Sequence, residues 1–352
     1  MAEWELYAQG AAAADDILRS VFGIDVRKAL NPLKVRDFGH IVRSLATSLR
    51  GHVVPVEDAA LKHALSKLDA RWTDLGPEAR AKVIAEAAHY LGPPVAARVL
   101  PRVDETLEAA AKDIVPLTKK NTVETFRLGV SPDLNATDER IARYVRISQG
   151  HFIRNRYGER MDSFAQQARD IVASGLEKGS GSADIAERLH EDLGPHVERG
   201  RGYWDTIAMV FANRARTMTQ LASYQESGIR AYVWESVLDE ATSVQCRFMH
   251  GKRFPVAHAM RRFEEVEQAE SPEAIKKLQP FLSLGKHGDQ AALVFGTGED
   301  RRLVAHVTES AVGRRDEIGS FTNAMDDEGL SAAGVTTPPI HGNCRSTIVP
   351  EV

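Results

Sequence analysis

Residues Tyr203 to Ser236 read YWDTIAMVFANRARTMTQLASYQESGIRAYVWES, and the change of character inside this stretch decides the fold class. Up to Glu226 the apolar residues Ile207, Val210, Phe211, Ala215, Met218 and Leu221 recur at helical spacing, with Arg214, Arg216 and Gln220 between them, so the segment predicts a long helix. Gly228 breaks the pattern. From Ile229 to Ser236 the chain carries Tyr, Val and Trp in partial alternation with polar residues, which predicts a strand. Helices before this point and a helix–strand mixture after it predict an α+β, predominantly helical protein. A helical N-terminal region is followed by a small α+β C-terminal domain.

Toward the N-terminus the helical reading holds almost throughout. Ala59, Leu61, Leu65 and Leu68 recur near helical spacing between Glu57 and Ala70, and Pro93, Pro94 and Pro101 predict a cut into short helices. Met161, Phe164, Ala165, Ala168, Ile171, Val172 and Leu176 form one apolar stripe. The stretch from Lys178 to Ser182 stops that helix, and Ser182 serves as N-cap of the next, with Asp184 in its first turn and Ile185, Ala186 and Leu189 on its apolar face. Toward the C-terminus, charge-rich residues from Arg261 to Leu278 predict an exposed helix. Ala291 to Phe295 and Leu303 to Val307 predict strands joined by a hairpin loop through Gly296 to Asp300, and Gly319 to Gly334 predicts a loop. No internal repeat is visible, and only Ala11 to Ala14 is low in complexity.

The 352 residues predict roughly two domains, and 43% hydrophobic against 27% charged residues is enough apolar material for a sizeable core. A formal net charge of −4 argues against a uniformly basic nucleic-acid coat, while leaving room for a local basic face. The opening residues lack the features of a signal peptide and no apolar run approaches the length of a membrane span, so a soluble, intracellular chain with no membrane partner is expected. Two cysteines cannot form a disulfide scaffold.

Each cysteine has a histidine close by. Cys246 and His250 stand at a C-x3-H spacing, His341 and Cys344 at an H-x2-C spacing, and the set suits tetrahedral zinc. Pro338 and Pro339 precede the second pair and would hold that approach rigid. Two alternatives stay open: Cys246 packing as a small hydrophobe beside surface histidines, and a Cys246–Cys344 disulfide. His258 and His287 have no ligand-type neighbour at metal spacing and read as surface residues.

Taken in order, Trp234-Glu-Ser236, Asp239-x-x-Thr242, Cys246, His250-Gly251-Lys252 and Pro338-Pro339-Ile-His341-Gly-Asn343-Cys344-Arg345 resemble the Mu F-like phage head morphogenesis (minor head protein) family. Arg216 and Thr219 match its upstream R-x-x-T helix, and the helix–Gly–Ser–helix segment from Ala165 to Leu189 is similar to its usual lead-in. The helical periodicity gives a helical N-terminal region over 1–135 and a helical connector over 136–200, and the resemblance implies a head morphogenesis domain over 201–352 with an insertion at about 259–334. The family pattern commonly ends C-R-C or similar, so Ser346 leaves no second terminal cysteine here. The resemblance further implies a minor head protein of a tailed phage, prophage or phage-like particle. Its partners would be the portal and major capsid proteins, and its place the virion head, reached from the host cytoplasm during assembly. Two other roles fit a chain of this kind: an effector or toxin-type enzyme carrying the domain, and a DNA-binding protein delivered with the genome.

The motif residues have a plain structural chemistry. Asp239 and Thr242 are spaced to hydrogen-bond in a turn, Gly251 permits a positive φ, and Arg345 can pair bidentately with Asp239, so the motif reads as a staple joining the ends of the domain. The sharper alternative is a metal or hydrolytic site in which Glu235 or Glu240 is the base. Phosphate-loop, zinc-protease, nucleophile-elbow and kinase signatures are absent from the sequence, so no enzyme is expected. Arg140, Arg143, Arg146, Arg154 and Arg156, interleaved with Tyr144, Phe152 and Tyr157, form a basic stretch that would contact double-stranded DNA or an acidic partner.

Overall fold

The computed structural model describes residues 36–69, 76–178, 182–296 and 298–351. Among the described residues five helices come first: α1 (Arg36–Asp69), α2 (Pro77–Leu91), α3 (Pro93–Phe126), α4 (Ala136–Glu177) and α5 (Ser182–Glu226). Then come β1 (Ala231–Glu235), α6 (Val244–Met249), β2 (Arg253–Pro255), α7 (Val256–Glu267), α8 (Pro272–Leu278), β3 (Ser283–His287), β4 (Gln290–Phe295), β5 (Arg302–Glu309), β6 (Ser320–Thr322), α9 (Asp327–Ala332) and β7 (Thr347–Glu351). The fold is α+β and predominantly helical, as the sequence predicts. No described helix is long and apolar enough to cross a membrane.

Of these prolines, Pro93 and Pro94 do mark a helix boundary, between α2 and α3, but Pro101 cuts nothing. Pro93 and Pro94 open α3, where a missing N–H removes no helical bond, and exposed Pro101 is carried inside a helix of 34 residues. Val95, Val99, Val103, Leu107, Ala111 and Ile114 form one buried stripe along α3, and this burial holds the helix continuous through its prolines. The same logic fuses the two helices predicted around Leu189 and Tyr203 into the 45-residue α5. Ser182 begins α5, while residues 179–181 of the predicted stop lie outside the described residues.

The chain divides into two compact units. One lies within 43–110 and 146–209, and its described residues form helices alone among regular elements. Its core holds Leu49, Val53, Val99, Leu107, Leu193 and Trp204, and the buried Tyr157 hydroxyl donates to Glu57 Oε1 at 2.8 Å. The other comprises, among the described residues, 36–42, 111–145, 210–296 and 298–351. Here Lys119, fully buried, sits 2.6 Å from Asp138 Oδ2 and 3.2 Å from Glu226 Oε2, an ion triad that ties α3, α4 and α5 at one level.

Both sheets belong to this second unit. The three-stranded sheet runs β2-β1-β7, all antiparallel, with Trp234 opposite Ile348 and Tyr232 opposite both Phe254 and Pro350. The C-terminal strand therefore returns to lie beside the first strand after α5. The four-stranded sheet runs β3-β4-β5-β6 and carries the predicted hairpin, its loop turning through a short 3-10 segment at Gly298–Asp300.

Two expectations in this region are corrected. The exposed helix predicted from Arg261 to Leu278 is two helices, α7 and α8, and α7 is half buried through Val256, Ala259, Met260, Phe263 and Val266. Its charges mask an apolar stripe at helical spacing. The loop predicted from Gly319 to Gly334 contains β6 and α9. Asp326 caps α9 by accepting from the Gly329 amide at 2.7 Å, a short helix that glycine-rich composition hides. Gly334 closes it at φ +78°, where any Cβ would run into the Leu278 carbonyl oxygen.

Candidate functional site

The site is assembled where β1 ends, α6 begins and the segment before β7 arrives. Ser236 is its hub. Its Oγ donates to the Cys246 carbonyl at 2.8 Å, lies 2.9 Å from Ser346 Oγ, and accepts from Trp234 Nε1 at 3.2 Å. Trp234 itself is fully buried. Three segments far apart in sequence thus meet on one hydroxyl, and each polar atom there is satisfied.

Beyond Ser236 the chain makes the turn that the Asp239/Thr242 spacing predicts. Thr242 Oγ1 donates to Asp239 Oδ1 at 2.8 Å and accepts from the Asp239 amide at 3.0 Å, while the Ala241 amide donates to the same carboxylate at 3.1 Å. Arg345 closes on that carboxylate with both terminal nitrogens, Nη1 reaching Asp239 Oδ2 at 2.7 Å and Nη2 bonding Oδ1. The Arg345 pairing, with the Thr242 and Ala241 donors, holds the Asp239 carboxyl at about 2, against the opposing effect of burial.

Ser243 caps α6, accepting from the Cys246 amide at 3.3 Å, and so sets the Cys246 side chain in the first turn of that helix. Cys246 Sγ lies 3.0 Å from His341 Nε2 and 3.7 Å from Cys344 Sγ, and Ser243 Oγ lies 2.8 Å from the same His341 nitrogen. The ligand atoms of Cys246, His341 and Cys344 all fall within 4.8 Å of one another, a cluster able to hold a metal ion. Both cysteines are buried and free. Hydrogen bonding from Cys344 draws the Cys246 thiol well below its usual range, with His341 adding to the effect and burial opposing it. Burial pushes the Cys344 thiol up, and its neighbour Cys246 pushes it further.

His250 is not part of this cluster. Four residues after Cys246 on an unbroken helix it would share a face with it, but His250 has left the helix at φ −57°, ψ 130°, and Gly251 follows at φ +79°. Its ring turns to the end of β1 instead, where Nδ1 accepts from the Ser236 amide at 3.2 Å and lies 3.7 Å from Glu235 Oε1. Burial lowers its pKa to about 4, and the accepting role of Nδ1 requires the neutral ring. The structure therefore brings together three of the four residues expected as zinc ligands.

The remaining motif residues support this arrangement. Thr219 Oγ1 donates to the Ala215 carbonyl within α5, and Arg216 is buried there, with desolvation lowering its pKa to about 10. Asn213 Nδ2 on the same helix donates to the Cys344 carbonyl at 2.8 Å, and the Tyr224 hydroxyl donates to the Ile348 carbonyl at 3.0 Å. Pro338 and Pro339 are buried and Asn343 is exposed at the edge of the cluster. Of the candidate bases, Glu240 is exposed and paired with Arg315. His258 meets Ser331 Oγ at 2.6 Å and His287 is exposed.

Arg247 was not singled out by the sequence. Wholly buried, it donates through Nε to the Thr242 carbonyl at 3.1 Å, through Nη2 to the Asp239 and Arg314 carbonyls at 2.6 Å each, and through Nη1 to the Glu317 carbonyl. It fastens the 314–317 loop to the Asp239 turn. A charge in the apolar run of α6 was the available signal.

The basic stretch divides differently. Arg140 lies over the Phe263 ring at 5.7 Å and near Glu264 and Glu267, so it is engaged with α7, whereas Arg143 is exposed. The side chains of Arg146, Arg154 and Arg156 lie outside the described residues.

No curated protein and no solved structure matches the chain. One family model does, that of the Phage Mu protein F like protein, over residues 166–274. That segment takes in Arg216, Thr219, Trp234, Ser236, Asp239, Thr242, Cys246 and Gly251, and ends before the 338–345 motif that completes the cluster. The match, covering less than a third of the chain, supports the Mu F-like phage protein family as the one this protein resembles.

Proposed function

We propose that this chain is a minor head morphogenesis protein of a tailed phage, prophage or phage-like particle, a structural component associated with the portal and the inner surface of the capsid. The match of residues 166–274 to the Mu F-like model carries this reading. Residues 201–352 then act as the head morphogenesis domain, interrupted at about 259–334, with 136–200 as connector and the 1–135 region, mostly helical over its described residues, as the element that docks on portal or major capsid protein. Its site is the virion head, and its role needs no catalytic step. Density-gradient sedimentation of lysate from producing cells, followed by mass spectrometry of the particle fraction, tests it. Recovery with portal and capsid proteins is expected, and recovery only as free protein beside normally assembled particles would overturn it.

Within that role the cluster of Cys246, His341 and Cys344 holds zinc as a clasp between α6 and the segment that leads into β7. The 3.7 Å separation of the two sulfurs supports this reading. It is close to the edge, about 3.8 Å, of a tetrahedron with Zn–S bonds of about 2.3 Å. The His341 nitrogen would have to move away from Cys246 by about half an ångström to complete the geometry. Elemental analysis of mildly purified protein is expected to find close to one zinc per chain. Contact with packaged DNA through Arg143, Arg146, Arg154 and Arg156 is a separate part of the proposal. It is tested by the salt dependence of DNA binding, which should be steep and should flatten when these arginines are reversed in charge.

A further inference from the structure

Resting on the zinc reading, we infer that the metal site keeps one coordination position for an exchangeable ligand, and that this ligand is a small anion or thiolate, with water in its place in the resting protein. Among the described residues the Cys/His/Asp/Glu group that shares a ligand-atom neighbourhood has three members, Cys246, His341 and Cys344. The fourth ligand anticipated by spacing, His250, is held at the end of β1 by the Ser236 amide. The motif carboxylate Asp239 is gripped by Arg345 and Thr242 and is committed to the turn. Three protein ligands with a free fourth corner is the arrangement of exchangeable zinc sites, whereas purely structural sites close the tetrahedron with a fourth side chain.

The surroundings of that corner say what would enter it. A cavity of about 20 Å³ opens on the cluster, lined by Ser243, Cys246, His341, Asn343, Arg345 and Ser346 among others. Its enclosed part has room for about one water-sized group, the coordinating atom, and the rest of a small ligand would project through its open side. Ser243 Oγ, 2.8 Å from His341 Nε2, is placed as a hydrogen-bonding neighbour of such a group, a neutral hydroxyl being outside the usual Cys, His, Asp and Glu set of zinc ligands. Arg345 lines the wall whereas its carboxylate partner Asp239 does not, which leaves a modest preference for negative charge at the corner. Asn343 is exposed, so the corner is reached from solvent on that side.

Cobalt(II) substitution of the full chain tests this, with azide and a small monothiol as probes. A thiolate-to-cobalt charge-transfer band reports the metal reading, and the visible d–d bands report the fourth ligand. The inference expects d–d bands of four-coordinate intensity that shift on addition of azide or thiol and saturate at one probe per cobalt. A charge-transfer band with d–d bands that neither probe moves would overturn the open position and leave the metal reading standing. Probe response only in Ser243→Ala would overturn it as well, by identifying the Ser243 hydroxyl as the fourth ligand. Absence of any charge-transfer band would remove the metal reading and this inference with it.

Discussion

Arg345 and Asp239, 106 positions apart in the chain, form a bidentate pair that fixes the segment before the last strand onto the turn after the first one. The two groups are only partly exposed, with 22% and 27% of their side-chain surfaces open to solvent. Fork-to-carboxylate geometry adds direction to charge, so neither Lys at 345 nor Asn at 239 reproduces it. Arg345→Lys is expected to lower unfolding free energy by about 1–2 kcal/mol and Arg345→Ala by about 1.5–3 kcal/mol. Urea denaturation of these variants and of Asp239→Asn, combined in a double-mutant cycle, measures the coupling. Strictly additive losses would show that the pair acts as two independent surface charges.

The same pair sets an acid limit. The Asp239 carboxyl is held at about 2 in the folded chain, below its ordinary value of 3.8, chiefly because Arg345 donates to it. A carboxylate with a depressed folded pKa stabilises the fold fully above its unfolded pKa and loses that contribution as pH falls through the folded value. The window is therefore from about pH 4 down to about pH 2, and the contribution is about 1–2 kcal/mol once solvent screening is allowed for. Denaturation midpoints of wild type and Asp239→Asn should differ at about pH 5 and converge toward about pH 2. A gap that is unchanged across this range would assign the stabilisation to something other than the charge.

Much of this site is legible in the sequence, because its contacts follow from short-range rules. The Asp239 turn, the positive φ at Gly251 and the strand at 231–235 each depend on a few adjacent residues. The Arg345–Asp239 pairing follows from complementary chemistry in two unusual motifs. What escapes is whatever depends on where a chain turns after a helix. His250 keeps its sequence distance from Cys246, yet a single non-helical residue redirects its ring to Ser236. Helix length escapes for a related reason: the local preference of Pro101 against a helix is outweighed by the buried stripe from Val95 to Ile114, which only the packed structure displays.

Arg247 carries a different kind of test, because it was invisible in the motif yet spans two distant loops. Its guanidinium satisfies four carbonyl oxygens, those of Asp239, Thr242, Arg314 and Glu317. Removing it leaves buried acceptors without donors, so Arg247→Met is expected to cost about 3 kcal/mol or more. Arg247→Lys should rescue little, since one ammonium cannot span four acceptors. Hydrogen exchange should show loss of protection at the Asp316 amide, which donates to the Leu238 carbonyl at 2.8 Å across the same junction. Unchanged protection there would mean the 314–317 loop is held without Arg247.

The division between His250 and the other three residues gives the sharpest comparison at the cluster. Cys246, His341 and Cys344 converge to within 4.8 Å, while His250 serves as an acceptor for the Ser236 amide. His250→Ala should therefore leave metal content close to wild type, and lower stability by about 1–3 kcal/mol through the unsatisfied amide. On the proposed zinc clasp, Cys246→Ser and Cys344→Ser should each lose most of the metal, because a neutral hydroxyl replaces an anionic sulfur. The two classes of variant must be separated by two readouts, since a clasp lost by either route can loosen the last strand. Metal per chain, measured beside the unfolding midpoint, separates them: His250→Ala falls in stability alone, and the cysteine variants fall in both. Loss of metal in His250→Ala with retention in Cys344→Ser would reverse the assignment and return His250 to the ligand set.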